Sequence, residues 1–111
     1  MSDKKIRGGS LIARALRDKG IENVFTLSGG FCNPALEGLM ECQIDVINCP
    51  HEQIAGHIAD GHTRITRKPT VCLVGPEGCA NAVPSMMEAW GERSPVIFIT
   101  GSSSLRRQGS G

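Results

Sequence analysis

The sequence has no tyrosine, a single tryptophan, three phenylalanines among 111 residues, and a net charge of only +1 at pH 7. Nucleic-acid binding modules depend on basic surfaces that neutralise phosphates and on aromatic side chains that stack on bases. Because neither feature is present, nucleic acid is excluded as an expected partner.

Long hydrophobic runs are also missing. No apolar run approaches the ~18 residues of a membrane-spanning helix, and the amino terminus, Met1 to Lys5, lacks the apolar stretch of a signal peptide. The cysteines form no C-x-x-C pair and no metal-ligand spacing; they are Cys32, Cys42, Cys49, Cys72 and Cys79. These absences predict a cytoplasmic protein with reduced thiols, no membrane partner and no metal ligands.

Four short apolar runs predict β-strands: Val24–Leu27, Ile44–Ile47, Val71–Val74 and Val96–Ile99. Each crossover between them has the dozen or more residues that a parallel connection through a helix requires. The predicted fold class is therefore α/β, with a doubly wound parallel sheet flanked by helices and covered on both faces. We predict one domain over residues 1–111, in which 101–111 form a loop or tail.

Helical spacing separates the strands. In the first predicted helix, Leu11, Ile12, Ala15 and Leu16 share a face, and Gly20 follows its end. The second begins at Asn33-Pro34, and the third runs from Pro50 towards Thr66. The fourth carries Ala82, Val83, Met86, Met87 and Trp90. In such a fold, ligands bind at the carboxyl ends of the strands.

Three of these strand ends carry unusual loops: Ser28-Gly29-Gly30, Cys49-Pro50-His51-Glu52, and Gly75 through Asn81. Paired glycines let a backbone approach a ligand closely, although a plain strand-to-helix turn explains them equally well. Neither glycine loop has the spacing of a P-loop or a dinucleotide fingerprint. We predict that the three loops converge on one edge of the sheet.

The three histidines are not expected to share a metal ion. His51-Glu52 begins like a zinc-protease motif, but that motif needs a second histidine where this chain has Ala55. His57 and His62 are spaced so that the three imidazoles spread around a helix.

Glu52 follows a strand end and lies in the first turn of the predicted third helix. A carboxylate there, among apolar and small neighbours, can be partly desolvated and can share a proton with a ligand. The alternative is that Glu52 only complements the helix dipole. Position alone leaves both interpretations open.

The ordered motifs resemble the amino-terminal, pyrimidine-binding domain of thiamine diphosphate enzymes of the acetolactate synthase-like group. The resemblance covers roughly residues 8 to 108, and the motifs are Gly8-Gly9-Ser10-Leu11-Ile12-Ala13, Val24 through Gly30, His51-Glu52-Gln53, Ala59-Asp60-Gly61-His62-Thr63-Arg64, and Ser94 through Gly101. It implies a flavodoxin-like domain that is incomplete here.

The resemblance implies a role for each loop. Glu52 would be catalytic, because the matching glutamate hydrogen-bonds a pyrimidine nitrogen of the cofactor and assists removal of the thiazolium proton. The cofactor-binding residues would be Gly29, Gly30, Glu52, Pro76, Gly78 and Asn81. Glu77 and Phe31 depart from the common family pattern, so the resemblance does not carry a substrate preference over.

Magnesium and the cofactor diphosphate would be bound by a separate domain or subunit, which this chain does not resemble. The chain is therefore expected to be a fragment, a truncation or a small subunit, inactive by itself. The expected substrate is a 2-keto acid or acyl-CoA for decarboxylation or carboligation, a homo-oligomer is expected, and FAD in a parent enzyme stays open. Two alternatives are a non-catalytic interaction domain that keeps the fold, and a flavodoxin-like binder of a small ligand.

Overall fold

The chain alternates helices and strands in the computed structural model, which describes residues 5–107 and 109, with the backbone alone at Phe31. A 3₁₀ turn (Gly30–Cys32) precedes the second helix. The elements of the described part are α1 (Gly8–Asp18), β1 (Asn23–Thr26), α2 (Asn33–Glu41), β2 (Asp45–Asn48), α3 (Glu52–Thr66), β3 (Thr70–Val74), α4 (Pro76–Gly91) and β4 (Val96–Thr100).

The four strands form one parallel sheet in the order β2-β1-β3-β4. Helices α1 and α2 pack together on one face, and α3 and α4 pack together on the other. The predicted doubly wound α/β fold is confirmed. The order reverses between β1 and β3, and a crevice at such a switch point is where open α/β sheets bind ligands.

The two central strands supply the core. Side chains of β1 and β3 point alternately to the two faces, so Val24 and Leu73 pack under α1 and α2 while Phe25 and Val74 pack under α3 and α4. The prediction that β4 is covered on both faces is wrong. It is an edge strand, and Ile97 is 41% exposed.

Helix α1 buries the predicted Leu16, but its other buried residues are small ones in place of the predicted Leu11, Ile12 and Ala15. Leu11 and Ile12 are 52% and 41% exposed, and the buried positions are Gly9, Ser10, Ala13 and Leu16. The reason is a close crossing with α2. A Cβ at Gly9 would collide with the carbonyl group of Pro34, so only a glycine permits this approach of the two backbones.

Helix α3 begins later than predicted, and helix α4 begins within a predicted loop. Helix α3 begins at Glu52, after Pro50, because the Nδ1 of His51 accepts a 3.0 Å hydrogen bond from the backbone N–H of Gln53 and caps the helix. Helix α4 begins at Pro76, so most of the predicted loop from Gly75 to Asn81 is helical. Proline at the first helical position explains this early start.

The carboxyl-terminal segment has turns but no regular element over residues 101–107. Residues 108, 110 and 111 of the predicted tail lie outside the described residues, so the single-domain and tail assignments stay predictions. In the described part of the chain, no helix is both long enough and apolar enough to cross a membrane.

The Asp60-to-Arg64 motif is an ion pair inside α3. Asp60 is 3% exposed and accepts hydrogen bonds from the Nε and Nη2 atoms of Arg64 at 3.0 and 2.8 Å. Burial acts to raise the pKa of Asp60, but the hydrogen bonds and charge of Arg64 outweigh it and lower that pKa. The ionised carboxylate therefore stabilises the fold.

We expect Asp60→Asn to lower Tm by several degrees at pH 7. A lowered folded-state pKa contributes stability above the unfolded value, near 3.8, and this contribution is lost as the pH falls through the folded value. The difference between variant and wild type should therefore shrink below about pH 3. The control is Glu88→Gln, because Glu88 makes an exposed 3.2 Å pair with the same Arg64. An equal fall in Tm in the two variants would contradict the stabilising role of the Asp60 carboxylate.

Candidate functional site

The three predicted loops lie at one edge of the sheet, where β1, β2 and β3 end. Thr26, the last residue of β1, is in register with Asn48 of β2 and Leu73 of β3. The backbone N–H of Cys49 donates to the carbonyl of Thr26 at 2.6 Å, and that of Ser28 donates to Oδ1 of Asn48 at 3.1 Å. The predicted convergence of the loops is confirmed.

Glu52 lies half-buried at the start of α3 and contacts the first turns of α4. The side-chain Nδ2 of Asn81 is 3.2 Å from its Oε1. A Cβ added at Gly78 would lie 2.6 Å from the Cγ of Glu52 and 2.8 Å from its Oε2. The missing side chain of Gly78 therefore leaves a cradle that Glu52 fills.

The position of Glu52 suits a negative charge. Its carboxylate belongs to the first turn of α3 and packs against the first turn of α4. Both helix amino termini present backbone N–H groups and the positive end of a helix dipole. The dipole explanation of Glu52 and the ligand explanation are therefore compatible at this site.

The three buried cysteines, Cys32, Cys49 and Cys72, have raised pKa values. Burial, with smaller contributions from the neighbouring Cys49 and Glu52, raises the pKa of Cys72 to about 12. Burial also raises the pKa of Cys49 and of Cys32. Since the thiolate is the nucleophile, these cysteines contribute apolar packing and not covalent chemistry.

We expect thiol labelling of the native chain to follow this difference. Cys42 and Cys79 are half-buried and should react first with a maleimide at about pH 7.5. Cys72 has a pKa of about 12 against an ordinary 9.0, so its thiolate fraction is about 1000-fold lower. Brief labelling followed by peptide mass spectrometry measures the order in which the cysteines react. Labelling of Cys72 as fast as that of Cys79 would contradict it.

The remaining predicted contacts are backbone positions at the same edge. Gly29 and Gly30 are exposed, and an added Cβ would meet nothing within 4 Å at either position. Pro76 is half-buried at the first position of α4. The glycine pair thus provides open backbone surface, whereas the space beside Gly78 is already filled by the side chain of Glu52.

Two residues that sequence reasoning missed hold these loops in place. Asn48 accepts the hydrogen bond from Ser28, and Thr100 donates through Oγ1 to the carbonyl of Gly75 at 3.2 Å. Their only sequence signal is a polar residue at the end of an apolar strand run. They fix the turn before the 3₁₀ segment and the start of α4.

Two of the histidines, His51 and His62, make different contacts. His51 caps α3, whereas the ring of His62 packs on Phe25 with centroids 5.5 Å apart. Among the described residues, no group of three or more His, Cys, Asp or Glu side chains could hold a metal ion.

Comparison with known protein families identifies the domain. The family described as "Thiamine pyrophosphate enzyme, N-terminal TPP binding domain" matches residues 6–111. This chain belongs to that family. Thiamine pyrophosphate is another name for thiamine diphosphate, so the resemblance is confirmed.

Curated relatives agree with the family. An acetolactate synthase large subunit from Mycobacterium tuberculosis is 37% identical over 107 residues, which is 96% of this chain and 20% of the relative. A 2-hydroxyacyl-CoA lyase 2 from Danio rerio is 34% identical over 106 residues, 94% of this chain and 17% of the relative. The chain thus spans about a fifth of the length of these relatives.

Solved structures show the same fold. A thiamine diphosphate-dependent 4-hydroxybenzoylformate decarboxylase from Rhodococcus jostii superposes with a TM-score of 0.84 at 24% identity, over 92% of this chain and 20% of that one. A benzoylformate decarboxylase from Polynucleobacter necessarius gives a TM-score of 0.80 at 20% identity, over 96% of this chain and 20% of that one. The four-stranded sheet is therefore one portion of larger folds.

The described residues fit the aminopyrimidine half of the family's cofactor. An aminopyrimidine offers ring nitrogens and an amine, which need a carboxyl group and carbonyl acceptors at close range. The edge provides the carboxylate of Glu52, which packs against Gly78, and at the same edge the open backbone of Gly29 and Gly30.

Proposed function

We propose that this chain binds the aminopyrimidine half of thiamine diphosphate and that Glu52 is the catalytic residue it supplies. The observation that carries the proposal is the Glu52 carboxylate, held by Asn81 and cradled at Gly78 at the switch-point edge of the sheet. Ligands of doubly wound sheets bind at such an edge. Membership of the thiamine pyrophosphate enzyme family supports the choice of cofactor.

Glu52 shares a proton with a pyrimidine nitrogen in this proposal. The carboxylate lies in the first turn of α3 and against the first turn of α4, so the positive ends of both helix dipoles act on it before the ligand arrives. The backbone at Gly29, Gly30 and Pro76 contacts the ring. When bound, thiamine diphosphate supplies a thiazolium carbon that attacks a carbonyl and then accepts electrons.

The proposed substrate is a 2-keto acid or an acyl-CoA, which undergoes decarboxylation or carboligation. Relatives named as acetolactate synthase and 2-hydroxyacyl-CoA lyase support this range. Magnesium and the diphosphate would be bound by another domain or subunit, since the described residues contain no metal-ligating cluster. We also propose that the protein is a homo-oligomer with a cytoplasmic location.

A non-catalytic interaction domain is the second candidate, because large apolar side chains are exposed on α3 and α4. The exposed fractions are 42% for Ile54 and Ile58, 45% for Val83, 66% for Met87 and 83% for Trp90. Apolar patches of this kind mark surfaces that another protein or domain covers. This candidate keeps the fold and gives Glu52 no chemical role.

We expect the 111-residue chain alone to show no turnover of pyruvate and only weak affinity for thiamine diphosphate with magnesium. The charge-assisted contacts to the diphosphate, about twice as strong as neutral hydrogen bonds, would be missing. Calorimetric titration and a pyruvate assay on the purified chain measure both. Micromolar binding or turnover by the chain alone would refute the division of roles.

A further inference from the structure

Asn81 and Gly78 both meet the side chain of Glu52, which points to a role other than direct cofactor contact. The Nδ2 of Asn81 lies 3.2 Å from Oε1 of Glu52. An ionised carboxylate only accepts hydrogen bonds, so the amide nitrogen of Asn81 faces it. The Cα of Gly78 lies against Oε2 and Cγ, where a Cβ would come within 2.8 Å of either atom.

We infer that Asn81 and Gly78 are positioning residues that fix the Glu52 carboxylate, an inference that rests on the proposed function for what the carboxylate then does. Asn81 occupies Oε1. The contact of Asn81 is made to Oε1, which leaves Oε2 as the oxygen we assign to the pyrimidine nitrogen.

The two positioning residues share one face of a fixed helix. They are three residues apart on α4, which places them on adjacent turns of the same side. The start of α4 is held by Pro76 and by the Thr100 hydrogen bond to the carbonyl of Gly75. A glutamate side chain has several rotamers, and catalytic groups need support of this kind to keep one productive geometry.

The first test measures the rotamers of Glu52 in the 111-residue chain by three-bond NMR couplings about χ1 and χ2. In the wild type we expect one dominant rotamer, and in Asn81→Ala an averaged set. Gly78→Ala should select a different rotamer, because the new methyl group takes the space of the Glu52 Cγ. Gly75→Ala is the matched control, since a Cβ there meets nothing within 4 Å.

The second test observes the same contact through the side-chain amide of Asn81. In Glu52→Ala, an Nδ2 proton of Asn81 should shift upfield because it loses a charged acceptor. Glu77→Ala removes an exposed carboxylate in the first turn of α4 and should leave the chemical shift of that Asn81 proton unchanged. Unchanged Glu52 couplings in Asn81→Ala, or equal proton shifts in the two alanine variants, would overturn the inference.

A chimaera separates this inference from the proposed function. It is the 37%-identical acetolactate synthase large subunit of Mycobacterium tuberculosis with its matching segment replaced by residues 6–107. If Glu52→Gln keeps the turnover of the chimaera while Asn81→Ala still frees the rotamer, the proposed function fails and the positioning contact stands. If Glu52→Gln abolishes turnover but Asn81→Ala leaves the rotamer fixed, the positioning inference alone is refuted.

Discussion

Glu52→Gln in the chimaera should lower the rate of acetolactate formation by about 10²- to 10⁴-fold, the usual contribution of general acid–base catalysis. Glutamine keeps the size of the side chain and an oxygen that accepts a hydrogen bond from Asn81, so the 3.2 Å contact can persist. What is lost is the ability to hold the proton shared with the pyrimidine ring. The loss should appear in kcat, with little change in Tm.

Glu77→Gln is the matched control for this loss. Glu77 is exposed in the first turn of α4, next to Gly78, and its replacement makes the same change of charge within the same region. We expect turnover within a few-fold of the unmodified chimaera. A comparable fall in the two variants would mean that net charge at this edge, and not a specific proton, controls the rate.

Gly9→Ala should destabilise the chain by about 1–3 kcal/mol, the usual cost of overpacking a rigid contact. An added methyl group would meet backbone atoms of Pro34 and Ala35, and the Cα of Gly38 packs against Gly9 from the other helix. Backbone cannot rotate aside as a side chain can, so α1 and α2 must separate. Thermal unfolding followed by circular dichroism should show Tm lower by about 5–15 °C.

Gly8→Ala tests whether this loss comes from the contact. Gly8 is the neighbouring residue in α1, and a Cβ there meets nothing within 4 Å. Alanine has the higher helix propensity, so Tm should stay the same or rise slightly. A loss in Gly8→Ala as large as that in Gly9→Ala would show that helix initiation, and not the crossing with α2, is responsible.

The strands could be predicted from the sequence because each is a short apolar run between crossovers of helical length. Their order could not, since an edge strand such as β4 has the same apolar composition as a central one. The inward face of α1 could be predicted only in part, since Leu16 is buried but Leu11 and Ile12 are exposed. Periodicity favours the large Leu11 and Ile12, but the close approach of α2 selects the stripe that contains Gly9 and Ala13.

The candidate site was predictable in its parts but not in its contacts. Glu52 and the glycine pair follow strand ends, which a parallel fold must bring to one edge. The contact of Asn81 with Glu52 joins residues 29 positions apart and depends on where α4 begins. The Gly75-Pro76 pair fits a loop as well as it fits a helix start, so the sequence left that register open.

Exchange of the thiazolium proton of bound thiamine diphosphate with solvent deuterium, measured in the chimaera, tests the central claim most directly. It reports the proton transfer assigned to Glu52 without depending on the substrate. The proposal predicts that Glu52→Gln slows this exchange by orders of magnitude, while Glu77→Gln exchanges like the unmodified chimaera. Equal exchange rates in all three proteins, with the cofactor bound in each, would contradict the catalytic role of Glu52.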